Sequence, residues 1–121
     1  MSNFNISVIE GHLTKDPSFE ILKGEHPFCR FSVAVNRQFT KKDGEKVEEV
    51  QFFEVTSWYR QAEICGKYLK KGSRVLVSGH LKKDVWKDKD GQTQSKTYLE
   101  AKEINFLSGA ERKERQEPVP V

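Results

Sequence analysis

The sequence predicts an all-β chain: a small β-barrel with one short helix and two long hairpins. Three observations carry that prediction. Apolar and polar residues alternate at period two in several stretches bounded by Gly, Asp and Pro. Two Asp-Gly pairs, Asp43-Gly44 and Asp90-Gly91, each stand between two such stretches, which is the strongest short-range hairpin signal. After Trp58 the apolar spacing changes to that of a helix.

The bulk numbers fit one domain. The chain has 121 residues, enough for one core without disulfide staples. Its formal net charge is +3 and its isoelectric point about 8.8, a mild excess that admits a polyanionic partner without demanding one. The sequence shows no apolar run of membrane-span length and no basic segment leading into an apolar signal core. We therefore expect a cytoplasmic protein with no membrane partner, in which Cys29 and Cys65 are reduced thiols.

In chain order, a first strand is expected from about Phe4 to Leu13, with Gly11 marking a bulge or bend and Asp16-Pro17 a turn. Phe19 and Ile21 continue it as a short further stretch. From Phe28, Cys29, Phe31, Val33 and Val35 take the core face, and Arg30, Ser32, Ala34 and Asn36 the other. Asp43-Gly44 then joins this second strand to a third, Val50 to Trp58, as antiparallel neighbours. In the third strand Gln51, Phe53, Val55 and Ser57 share one face, whose apolar middle suits the core. The opposite set, Val50, Phe52, Glu54, Thr56 and Trp58, has two large rings with a charge between them, a poor fit to both core and solvent. Trp58, Ala62, Cys65 and Leu69 fall at i, i+4, i+7 and i+11, which predicts a helix over about 59–69, weakened by Gly66 and ended by Gly72. A fourth strand over Arg74 to Leu81 bends at Gly79. Lys82 to Gln92 forms a second hairpin tip, and a fifth strand runs from about Gln94 to Phe106. Residues 108–121 are charged, end in Pro-Val-Pro-Val and lack an apolar stripe, so residues 1–107 form the domain and 108–121 a short disordered tail. Five strands with one helix between the third and fourth, bent at glycines, give the order of the five-stranded OB-fold.

Each predicted hairpin has an aromatic residue four positions before its Asp-Gly pair: Phe39 in one, Trp86 in the other. Lysines surround both. Rings among cations suit stacking on bases, with the lysines meeting phosphates, and the Phe52/Trp58 face lies between the two tips. The alternative is that each ring packs on its own hairpin or on a neighbouring subunit. Lys67, Lys70, Lys71 and Arg74 form the cleanest cationic cluster, and complementing the helix dipole is its other explanation. Bases are expected on Phe39, Phe52, Trp58 and Trp86, and phosphates on Arg37, Lys41, Lys70, Lys71, Lys82, Lys83 and Lys87.

No catalytic motif appears: no phosphate-binding Gly loop, no Gly-x-Ser-x-Gly and no His-Glu-x-x-His. His26 and Cys29 form a lone H-x-x-C without a second pair, so no metal and no cofactor is expected. The chain is expected not to be an enzyme.

Three segments resemble the bacterial single-stranded DNA-binding (SSB) family over about residues 4–107. Gly11-His12-Leu13-Thr14-Lys15-Asp16-Pro17 is similar to its G-x-L-x-x-D-P. Residues 68–81, YLKKGSRVLVSGHL, are similar to its Y-L-x-K-G-S-x-V-x-V-x-G-x-L. Trp86-Lys87-Asp88-Lys89-Asp90-Gly91 is similar to its W-x-D-x-x-G. The resemblance implies an OB-fold and sequence-tolerant wrapping of single-stranded DNA at the nucleoid, in replication, recombination and repair. It also implies self-association as a homotetramer, with a dimer as the other form. The family's stacking rings fall on Phe39, Phe52, Trp58 and Trp86, the first two at positions often held by Trp. Glu54 stands where a basic residue is common, and the tail lacks the family's acidic tip, so recruitment of replication and repair proteins through that tip is not implied. The rival from another class is an OB-fold adaptor subunit of a primosome or replication-restart complex, binding protein more than DNA.

Overall fold

The computed structural model describes residues 3–107; the expected disordered tail, 108–121, lies outside the described residues. Six strands and one helix follow one another: β1 (Ser7–Leu13), β2 (Ser18–Leu22), β3 (His26–Thr40), β4 (Lys46–Trp58), α1 (Tyr59–Tyr68), β5 (Arg74–Lys87) and β6 (Thr93–Phe106). The sheet order is β1-β5-β6-β4-β3-β2, and a further β1–β3 pairing closes five of these strands into a barrel. β2, the short stretch expected at Phe19 and Ile21, pairs outside the ring on β3. The β4–β6 closure is parallel, through Val55 with Leu99 and Thr56 with Glu100; the other pairings are antiparallel.

The core follows the expected alternation where strands lie in the closed ring. Leu13, Cys29, Phe31, Val33, Val55, Val75, Val77 and Leu99 are buried, and Ala62, Cys65 and Leu69 bring the helical stripe onto them. Burial pushes the thiols of Cys29 and Cys65 up to about 11 and about 12, so they serve as small apolar groups. Close packing explains three glycines. A Cβ at Gly11 would stand 2.2 Å from the Ala34 carbonyl oxygen, and one at Gly79 2.0 Å from that of Glu100, where β-strands cross tightly. Gly66, expected only to weaken the helix, lets α1 rest on Phe19, whose ring would lie 2.9 Å from an added Cβ.

Several strand boundaries and residue faces differ from expectation. The first strand begins at Ser7, not Phe4, because the Asn5 side chain takes over the ladder: Asn5 Nδ2 donates to the Leu81 carbonyl (3.0 Å) and Leu81 N–H donates back to Asn5 Oδ1 (3.2 Å). The fourth strand runs to Lys87 rather than Leu81, since Lys82 to Lys87 stay paired with Tyr98 to Thr93 despite their polarity. Phe53, expected in the core, is 38% exposed, because the first half of β4 lies beyond the closed ring. Thr56 and Ala34, expected outside, are buried, the former beside the β4–β6 closure and the latter against β1.

β6 carries a bulge: Ser78 pairs with Glu103 and Gly79 with Ala101, leaving Lys102 unpaired. Its carbonyl accepts a bond from Gln61 Nε2 on α1 (3.2 Å). Among the described residues no helix is long and apolar enough to cross a membrane.

Candidate nucleic-acid interface

The site is a groove between two paired ribbons. In the β3–β4 ladder Phe28 faces Trp58, Arg30 faces Thr56, Ser32 faces Glu54 and Ala34 faces Phe52. These residues form the outer face, away from Cys29, Phe31 and Val33. The opposing wall comes from β5–β6, where Lys82 pairs with Tyr98 and Asp84 with Lys96. The groove between them has a volume of about 240 Å³ and is lined by Phe28, Arg30, Glu54, Thr56 and Trp58 on one side and Lys82, Asp84, Lys96, Tyr98 and Glu100 on the other.

Two of the four predicted rings belong to the β4 face. Phe52 is 66% exposed, and Trp58 is half-buried against Phe28, with ring centroids 4.6 Å apart. Trp58 is the last strand residue before α1, and Tyr59 after it holds a left-handed φ of 58° that turns the chain into the helix. The third ring, Trp86, is 46% exposed and lies two residues beyond Asp84, on the same face and opposite Gln94. The fourth, Phe39, is not brought to that face. It has the parity of Phe31, Val33 and Val35, so it lies on the other face of its hairpin, where the Arg37 guanidinium sits 4.8 Å from its ring centre.

The predicted cations divide likewise. Lys82 points into the groove and pairs with Glu100 (3.5 Å). Lys83 and Lys87 alternate to the opposite face of β5–β6, and neither has a carboxylate partner among the described residues. Arg37 pairs with Glu49 (3.3 Å) and Lys41 with Glu45 (3.6 Å). Lys70 and Lys71 lie in the turn after α1, where Lys71 N–H donates to Asp16 Oδ1 (2.9 Å). Asp16 and Lys15 border a second hollow that shares Arg30 and Glu54 with the groove.

Sequence reasoning missed Arg30, Lys96, Phe28 and Tyr98 as groove residues. Alternation places each on the outer face, but only the β4–β6 closure sets Lys96 and Tyr98 opposite Arg30 and Phe28. Glu54, between the rings, is held by Lys96 Nζ at 2.7 Å and Arg30 Nε at 3.4 Å. Tyr98 donates its hydroxyl to Asp84 Oδ1 (3.3 Å); burial and the negative charge of Asp84 hold that phenol above its ordinary range. No group of His, Cys, Asp and Glu among the described residues could hold a metal ion. The arrangement offers flat apolar rings, cations and hydrogen-bonding groups along an open track, with no assembled nucleophile or acid–base pair.

Known proteins place this geometry. The family model for the single-strand binding protein family matches residues 4–107. The "Single-stranded DNA-binding protein" of Treponema pallidum strain Nichols is 39% identical over 108 residues, covering 88% of this chain and 60% of the relative. "Single-stranded DNA-binding protein 2" of Chlorobaculum tepidum is 38% identical over 109 residues, covering 89% and 74%. The chain thus spans less than two thirds of the Treponema relative's length. Among solved structures, a deletion mutant of the single-stranded DNA binding protein from Thermus aquaticus superposes with a TM-score of 0.78 at 30% identity, covering 88% of this chain and 52% of that one. A Plasmodium falciparum SSB complex with ssDNA has a TM-score of 0.81 at 24% identity, covering 88% and 97%, which speaks for the OB-fold alone. With its family model matched from residue 4 to residue 107 on a closed five-stranded barrel, the chain belongs to the single-strand binding protein family.

Proposed function

We propose that the protein binds and protects single-stranded DNA with little sequence preference during replication, recombination and repair, as a non-enzymatic binding module in the cytoplasm. Bases stack on Phe52, Trp58 and Trp86 along the outer face, with Phe39 contributing from the far side of its hairpin. Phosphates meet Lys82, Lys83 and Lys87 on one finger, Arg37 and Lys41 on the other, and Lys70 and Lys71 beyond the helix. The observation that carries this reading is an open groove edged by cations with the Trp58 ring in its wall and the exposed rings of Phe52 and Trp86 on the same strand faces, because every base has a face to stack and every nucleotide a charge to meet. The family relationship supports it. The protein assembles as a homotetramer; exposed Phe4, Ile6 and Val8 near the β1 edge support self-association.

Titration with oligo-dT at several salt concentrations tests the reading. Tight binding with a log–log salt slope of about −0.7 per neutralised phosphate is expected. Weak binding, or affinity indifferent to salt, would remove it. Mass measured with and without DNA reports the assembly.

A further inference from the structure

Every cation on the walls of the groove already has a carboxylate. Glu54 on β4 binds Lys96 of β6 through Oε1 (2.7 Å) and Arg30 of β3 through Oε2 (3.4 Å), so one acid ties three strands. Glu100 on β6 receives Lys82 (3.5 Å) and His80 (3.3 Å), both on Oε1. The acids are the deeper layer: the side chains of Glu54 and Glu100 are 24% and 23% exposed, against 45% for Arg30, 49% for Lys96 and 47% for Lys82. Arg30, Lys82 and Lys96 face three lining carboxylates, Glu54, Asp84 and Glu100, so the formal charges of these lining residues balance.

We infer that Glu54 and Glu100 are built-in counter-ions that position the groove cations and hold the groove near neutrality. The inference rests on the single-stranded DNA reading above and deepens it. A phosphate arriving at Arg30 or Lys96 meets a cation whose field the acid beneath already cancels. Fewer ions are released when it binds, so this part of the track holds DNA chiefly by stacking. Steep salt dependence comes instead from lysines without such partners among the described residues, Lys83 and Lys87. Glu54 is a positioning residue that sets affinity and salt sensitivity from between two stacking rings.

The test compares Glu54→Gln and Glu100→Gln with Glu10→Gln. Glu10 pairs with Arg74 (2.6 Å) on the β1–β5 ladder and does not line the groove, so this control makes the same change in net charge elsewhere. At low salt, Glu54→Gln should tighten oligo-dT binding about five- to tenfold, the effect of one charge removed at close range in a partly screened site. The log–log salt slope should steepen by about 0.7, one further phosphate neutralised. Glu100→Gln should act in the same direction and carries the test by itself if the first variant fails to fold. Glu10→Gln should change affinity by less than about twofold. A groove variant that weakens binding, leaves the slope unchanged, or matches Glu10→Gln overturns the inference. If the unsubstituted protein itself failed to bind oligo-dT, the functional reading would fall first; if it binds and the groove variants are silent, only the counter-ion role falls.

Discussion

The two hairpins use the same turn chemistry and end up as different instruments. Both tips are Asp-Gly turns with glycine at positive φ, Gly44 at 91° and Gly91 at 80°, and both carry a ring four residues earlier. The β3–β4 tip pairs cations within itself, Arg37 with Glu49 and Lys41 with Glu45, while the Gln38 amide donates to Glu48 (2.9 Å). Its ring lies on the core-side face under Arg37. The β5–β6 tip is tied by Asp88, which accepts from Asp90 N–H, Gln92 N–H and Gln94 Nε2, each at 2.9 Å. Its ring shares the strand face of the groove-lining Lys82 and Asp84, and Lys83 and Lys87 have no acid partner among the described residues. Distance from the turn is therefore a poor guide to a residue's job. Parity counted from the core is the better one. Phe39 is eight residues from Phe31 and shares its face, whereas Trp86 is nine from Val77 and opposes it.

The largest test of this contrast is the rings themselves. Trp86→Ala should weaken oligo-dT binding by about 1–3 kcal/mol, while Phe39→Ala should stay below about 1 kcal/mol. Equal losses in fluorescence-anisotropy titrations would break the contrast. Moving the ring by one position sharpens it: Gln38→Trp in the Phe39→Ala background puts an aromatic on the Phe52 face and should recover up to about 1 kcal/mol. No recovery would mean the hairpin twist, not parity, governs that tip. Smaller again are the charges. Lys83→Ala and Lys87→Ala should each make the log–log salt slope shallower by up to about 0.7, and Arg37→Ala and Lys41→Ala by less, since Glu49 and Glu45 already oppose those two. The smallest effect is in the apo protein. The Gln94 amide, followed by the Gln92 and Asp90 N–H groups, holds the Asp88 carboxyl below its ordinary value. Its stabilisation is complete above that ordinary value and fades as pH falls through the lowered one. Amide-exchange protection at Asp90 and Gln92 should drop in that acid range ahead of the barrel strands. The other tip, where Asp43 Oδ1 accepts only from Glu45 N–H (2.9 Å), should change less.

The barrel was largely readable in the sequence because burial imposes a strict period. Val33, Val55, Val75, Val77 and Leu99 sit where alternation puts them. The helical stripe Ala62, Cys65, Leu69 is visible for the same reason. Beyond the closed ring that constraint lapses, which is why Phe53 reads as core and is exposed, and why the polar strand 82–87 reads as a loop. The groove was half readable. Phe52 and Trp86 stand out as exposed rings, and Trp58 as a ring on the same face as Phe52. Arg30, Lys96 and Tyr98 do not, because what makes them a wall is a parallel β4–β6 contact between strands more than thirty positions apart. In the sequence Glu54 is a charge between two rings, at a position where the family often has a basic residue. It is the anchor of Arg30 and Lys96, and no local pattern names a partner forty-two positions away.

Both tryptophans lie on the outer face, so each can report on the groove separately. The most direct measurement is oligo-dT titration of Trp58→Phe and Trp86→Phe, following the fluorescence of the single remaining indole. Each indole should be quenched saturably at the same DNA concentration that changes anisotropy, and high salt should reverse it. Binding that leaves either indole unquenched would contradict a single track running from Trp58 to Trp86.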